Sequence, residues 1–290
     1  MIQYIIYSKL SSSRFEESIT EEIYNELNKS KQILSEVFAK EKIYNIILMN
    51  YYEFENELFE ITLADELFQS DYSDFSDYLS KIEQRVLNLL SSITLYLDSF
   101  KDDLKEVPKY SLDLYNEYKN IVEYYEKERD VDATIKIMKL LRNHIQHNGL
   151  LVTNFSLNGV NLSDEIREQT LLFEIDKNTI KARGFKIDDF GDMNEKIDLK
   201  KTIRIYIDFI SQIHQKFREL TNEKTQNSRN EFESILQKYS EHQYLRIAQK
   251  IDGEIKNEIQ ILLNWDDIRL ELIKKNRVPK AFKRHSINTK

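Results

Sequence analysis

Leu79-Ser80-Lys81-Ile82-Glu83-Gln84-Arg85-Val86-Leu87-Asn88-Leu89-Leu90-Ser91-Ser92-Ile93-Thr94-Leu95-Tyr96-Leu97-Asp98-Ser99-Phe100 is the stretch whose reading sets the fold. Within it Leu79, Ile82, Val86, Leu89, Ile93, Tyr96 and Phe100 recur at spacings of 3, 4, 3, 4, 3 and 4. That repeat lines one face of an α-helix, whereas a strand would throw its members alternately to opposite sides. The spacing predicts a core helix belonging to a helix–helix seam. Just upstream, Asp71-Tyr72-Ser73-Asp74-Phe75-Ser76-Asp77 gathers turn and cap formers, and Ser76 or Asp77 is placed to cap the helix.

Working outward from there, residues 1–13 read as a short strand or irregular arm ending in Ser11-Ser12-Ser13. From about 14 to 66 the pattern is helical, in two pieces, with Ile33, Val37, Ile43, Ile47, Phe54, Leu58 and Ile61 as apolar faces. Downstream, Pro108 permits a new start, and Leu112, Tyr115, Ile121 or Val122, and Tyr125 mark a helix ending near Arg129. The next helix begins after Asp130, with Val131, Ile135, Met138, Leu141 and Ile145 inward, and ends at Asn148-Gly149. A β excursion follows from about 150 to 187, in which Thr170–Ile175 and Thr179–Ala182 form a hairpin across Asp176-Lys177-Asn178. Helix resumes near Asp198 with Ile203, Ile207, Ile210, Ile213, Phe217 and Leu220 on one face. The polar run Thr221–Asn230 reads as a loop or junction. Beyond it Ile251, Ile255, Ile259 and Leu262 suggest another long helix ending near Lys275. The expected class is therefore mainly α, a bundle of long helices with a small β-hairpin excursion at 150–187. The expected divisions are an N-terminal helical region 1–74, a domain 75–220, and a helical extension 222–290 with a basic tail.

The totals agree with this class. Five glycines and two prolines in 290 residues leave few turn residues for a many-stranded architecture. The absence of cysteine excludes disulfide frameworks, zinc fingers and thiol nucleophiles. Met1-Ile2-Gln3-Tyr4-Ile5-Ile6-Tyr7 lacks the basic start of a signal peptide, and no apolar run approaches membrane-spanning length, so a cytoplasmic protein without membrane contact is expected. A net charge of −8 argues against a protein that coats nucleic acid indiscriminately. The seven Lys/Arg between Lys274 and Lys290, with no acid among them, leave −15 on the preceding 273 residues. Such a tail reads as a solvated terminus, or as a grip on an RNA backbone.

Chemistry concentrates in Arg142-Asn143-His144-Ile145-Gln146-His147. On a helix Asn143 and His147 share a face, and Arg142, rotated by about 100°, reaches toward it with a long side chain. A titratable ring, an orienting amide and a fixed cation are enough to cut RNA without a metal. A base takes the ribose 2′-hydroxyl proton, the oxygen attacks the adjacent phosphorus, and a cation stabilises the charge gathering on the phosphoryl oxygens. Histidine titrates near working pH, and the arginine fork stays charged while bonding two oxygens at once.

The same six residues resemble the R-N-x-x-x-H form of the R-x(4–6)-H signature of the HEPN superfamily, compact helical domains that include bacterial toxins, abortive-infection proteins and other RNases. The resemblance covers residues 75–220, with 199–220 as the returning helix. It implies His147 as catalytic acid/base, Arg142 on the phosphate, Asn143 as the positioning residue, and no cofactor. His144 and Gln146 occupy x positions and are candidates to line the cleft. It further implies a homodimer in which two motifs face each other over an RNA substrate, open to control by an antitoxin or other regulatory partner. A non-catalytic helical module for dimerisation or for nucleotide or partner binding is the alternative.

Other constellations are weaker. His147 in a last helical turn also satisfies free carbonyls and the helix dipole. His144 and His147 would need a carboxylate or His214 to hold a metal. The pairs Asp102-Asp103, Asp188-Asp189 and Asp266-Asp267 read as solvated turns or helix ends, and Tyr115, Tyr118 and Tyr125 as core and rim rather than base-stacking platforms. No phosphate-binding glycine loop, hydrolase elbow or calcium loop is present.

Overall fold

The computed structural model describes residues 2–8, 15–68, 71–105, 112–148, 152–164, 167–182 and 195–276. They are mainly helical, with two small antiparallel sheets. The helices are α1 (Glu21–Leu67), α2 (Tyr72–Lys105), α3 (Tyr115–Val131), α4 (Ala133–Asn148), α5 (Lys177–Ala182), α6 (Leu199–Lys238) and α7 (Asn264–Lys275). The strands are β1 (Ile2–Ser8), β2 (Glu16–Ile19), β3 (Asn154–Asn161), β4 (Arg167–Asp176), β5 (Lys196–Asp198), β6 (Leu245–Ile251) and β7 (Glu254–Gln260). Among the described residues no helix is long and apolar enough to cross a membrane. The chain forms two compact units, one from residues 1–42, 101–119 and 217–277, the other built chiefly from 43–100 and 120–216.

The first unit contains the sheet β2-β1-β6-β7. Strand β1 buries residues on both faces: Ile6 joins Tyr24, Leu27, Leu34, Phe232, Ile247 and Ile259 in the main core, while Ile5 and Tyr7 meet Ala248 in a smaller one. Residues 245–260 correct the helix expected through Ile251, Ile255 and Ile259, because a spacing of four also keeps residues on one face of a strand. Asp252 (φ 52°) and Gly253 (φ 87°) decide between the two readings, since two consecutive left-handed residues make the tight turn of a β6–β7 hairpin. The Thr221–Asn230 run is likewise helix, part of an unbroken α6. There the Thr221 hydroxyl donates to the Phe217 carbonyl and that of Thr225 to the Thr221 carbonyl, so these polar side chains are satisfied by the helix itself.

Ion pairs hold this unit together. Arg218 grips fully buried Glu41 through two 2.7 Å bonds and also donates to the Asn276 carbonyl. Asp266, expected in a solvated turn, is instead fully buried in the first turn of α7, held by Arg229 at 2.7 Å and by Arg269 at 2.6 Å. Burying that carboxylate is tolerable only because both cations and a helix N-terminus surround it.

The second unit carries the seam helix. Ile82, Val86, Leu89, Ile93, Tyr96 and Phe100 are all buried on α2, beside a core containing Tyr44, Phe54, Leu58, Ile207, Ile210 and Ile213. Helix α2 starts earlier than Ser76 or Asp77, because the Asp71 carboxylate accepts the amides of Ser73 (2.7 Å) and Asp74 (3.1 Å). In the same way Asp132 accepts the Thr134 amide at 2.7 Å and opens α4, which leaves Val131 exposed at the end of α3 rather than facing inward. The β excursion is real, with one correction of pairing. Strand β4 lies between β3 and β5, with Leu157 opposite Leu171 and Ile175 opposite Ile197. Residues 177–182 are helical, since Asp176 accepts the amides of Asn178 and Thr179 as a cap rather than turning a hairpin. The stretch from about 14 to 66, expected as two helices, holds β2 and the single helix α1 among its described residues. Pro108, Gly149, the Asp188-Asp189 pair and the tail from Arg277 onward lie outside the described residues.

Candidate functional site

Helix α4 buries Ile135, Met138, Leu141 and Ile145, as expected from their spacing, and also Ile137, which was not expected there. Its other residues include Lys136, Lys139 and Arg142 and no acid anywhere from 133 to 148, in a chain of net charge −8. The helix thus contributes three cations and no carboxylate of its own.

Arg142 is half-buried and Asn143 exposed. Arg142 Nη1 donates to Asn143 Oδ1 at 2.9 Å, so the amide next in sequence fixes one branch of the guanidinium. Arg142 Nε is buried without a hydrogen-bond partner among the described residues. His144 is half-buried. The backbone of α4 carries His147 one turn beyond Asn143, about 6 Å along the axis; the side chains of Gln146 and His147 lie outside the described residues. Arg142 and Asn143 are thus brought together.

Arg142 acts electrostatically on a group that sequence reading did not single out. Tyr206, on the buried face of α6, shares a hydrogen bond with Tyr125 of α3. Burial pushes its phenol well above the ordinary value, Tyr125 pushes the same way, and the positive charge of Arg142 partly opposes them. Asp98 of α2 adds negative charge near both phenols. Arg142 therefore lies within electrostatic reach of the buried Tyr206 phenol and has one branch held by the Asn143 amide. The available signal was weak, because Tyr206 sits between Ile203 and Ile207 and passes for an ordinary core aromatic.

His214, weighed above as a third metal ligand, is committed elsewhere. It is fully buried, stacks on Tyr44 with ring centroids 3.8 Å apart, and its Nδ1 lies 2.8 Å from the Tyr96 hydroxyl. Tyr118 and Tyr125 are buried, as their core reading required.

Comparison of the chain with protein-family models, with curated proteins and with solved structures finds no match.

Proposed function

We propose that this chain is a metal-independent endoribonuclease of the HEPN type, a toxin or phage-defence effector working in the cytoplasm as a homodimer. The observation that carries the reading is the Arg142–Asn143 pair, a guanidinium fixed by its neighbouring amide on a basic helix of an acidic protein. His147, one turn further on, takes the proton from a ribose 2′-hydroxyl. The freed oxygen attacks the adjacent phosphorus, the bond to the 5′-oxygen breaks, and that oxygen leaves with a proton supplied by the general acid. Arg142 bonds the phosphoryl oxygens as their charge grows, and Asn143 positions the guanidinium. The products are a 2′,3′-cyclic phosphate and a 5′-hydroxyl. Two motifs facing each other across a two-fold axis would supply base and acid together.

A second reading has its own observation. The proximity of Arg142 to the buried phenol of Tyr206 fits a packing role, in which α4 belongs to a non-catalytic helical module. Incubating structured RNA in EDTA with wild type, His147→Ala and Arg142→Ala separates the two. The nuclease reading expects cleavage to 2′,3′-cyclic phosphate ends that both substitutions abolish. Intact RNA with wild type, or cleavage surviving both substitutions, contradicts it.

A further inference from the structure

Helix α1 is apolar on the side it buries and, in its second half, also carries large apolar residues among Glu53, Asn56, Glu60 and Glu66 on the side it exposes. Ile46, Met49, Tyr52, Phe59, Leu63, Leu67 and Phe68, all in the second unit, are 46–69% exposed. A helix facing water on its outer side normally places charged residues there. The run from Ile46 to Leu67 extends about 32 Å along the helix. At roughly 200 Å² for each large side chain, the seven exposures amount to about 800 Å², the share one partner buries in a standard interface and more than the largest apolar patch of a typical monomer.

The arrangement of the stripe identifies its occupant. Met49 and Leu63 stand seven residues to either side of Asn56, Tyr52 and Phe59 stand four and three residues away, and Ile46 and Leu67 ten and eleven. Reversed end to end, the stripe therefore superposes on itself. An interface between two copies about a two-fold axis has this self-complementarity, with residue i meeting j and j meeting i. Asn56 stands at the centre of the stripe, with exposed Glu53 and Glu60 beside it on the same side of the helix. Of these two carboxylates, Glu53 lies 2.7 Å from Arg85 of α2, and Glu60 accepts a 2.5 Å hydrogen bond from the neutral Asn56 amide.

We propose that the outer face of α1 between Ile46 and Leu67 is the contact between two copies of this chain, crossing antiparallel with Asn56 on the two-fold axis. The contact is read from α1 alone, but the ribonuclease reading of α4 also calls for two copies, so a monomeric wild type counts against both, whereas the Phe59→Glu and Asn56→Cys results bear on this contact and RNA cleavage on that reading.

The chain has no cysteine, so a single introduced thiol reports on one position. The experiment uses the full chain at about 100 µM, where a contact of micromolar strength is filled. Sedimentation equilibrium is expected to find a dimer for wild type and a monomer of unchanged helical circular dichroism for Phe59→Glu. Oxidised glutathione is expected to link Asn56→Cys into a disulfide dimer while leaving Lys127→Cys, on α3, unlinked. A monomeric wild type overturns the proposal, and is the result if the stripe serves a lipid surface or another protein. A dimer that survives Phe59→Glu overturns it as well. If Phe59→Glu dissociates the dimer but Asn56→Cys links no better than Lys127→Cys, the antiparallel register is wrong.

Discussion

Arg204 and Arg142 are both half-buried arginines of the same unit, and they are held in opposite ways. Arg204 forms two 2.7 Å bonds to the Glu55 carboxylate, so its charge is neutralised where it lies. Arg142 has the neutral oxygen of Asn143 and, among the described residues, no carboxylate in ion-pair contact. Arg218, with fully buried Glu41, repeats the Arg204 pattern in the other unit. A guanidinium that braces a fold brings its own anion into low dielectric, because leaving either charge alone there is expensive. One oriented by an amide keeps its charge for an anion arriving from outside.

The largest effect should come from breaking a braced pair. Arg218→Ala strands a fully buried carboxylate and should lower unfolding free energy by about 3–5 kcal/mol in urea titration. Arg204→Ala should lower it by a smaller amount, since Glu55 keeps some contact with solvent. Wild-type stability in both variants would erase the distinction between the two kinds of arginine.

Next comes the phenol within electrostatic reach of Arg142. Tyr206→Phe removes a buried hydrogen bond worth about 1 kcal/mol. Its pH dependence sharpens the comparison. The folded protein holds the Tyr206 hydroxyl protonated well above the ordinary value of 10.0, chiefly through burial. That contribution is complete below the unfolded value and is lost as pH rises past it toward the folded one. Urea midpoints of wild type should therefore fall between about pH 9.5 and 11, with a shallower fall in Tyr206→Phe. Tyr125, also raised mainly by burial, keeps part of the slope in that variant. Parallel profiles would mean that Tyr206 does not titrate in this window.

Asn143→Ala should change stability least, within about 0.5 kcal/mol for an exposed side chain. On the ribonuclease reading it nevertheless slows cleavage by about 10- to 100-fold, because the guanidinium loses its orientation. A full-rate Asn143→Ala enzyme would remove Asn143 from the positioning role.

How much of this was legible in the sequence depends on the element. The α2 face was, because its 3,4 repeat admits no strand reading, and so were Ile135, Met138, Leu141 and Ile145 of α4. The β6–β7 hairpin was missed where Ile251, Ile255 and Ile259 satisfy helix and strand periods alike; Asp252-Gly253 was the deciding signal. The polar turns of α6 were misread because buried Thr221 and Thr225 look like loop residues until their hydroxyls are seen bonded within the helix. Asp266 looked solvated because its partners Arg229 and Arg269 are brought to it only by folding. At the candidate site, Arg142 and Asn143 were legible as a pair of residue types. The Tyr206–Tyr125 hydrogen bond was not, since it joins two helices some eighty residues apart in sequence. The acid-free composition of α4 could have been read directly.

The central claim, that Arg142 keeps its charge for a phosphate, is tested most directly by measuring two quantities on Arg142→Ala: its urea midpoint and its cleavage of structured RNA in EDTA. The predicted result is a stability loss below about 1 kcal/mol together with a cleavage rate lower by about 10²–10³-fold. A wild-type protein that leaves RNA intact, or an Arg142→Ala variant that cleaves at the wild-type rate or unfolds as readily as Arg204→Ala, would contradict it.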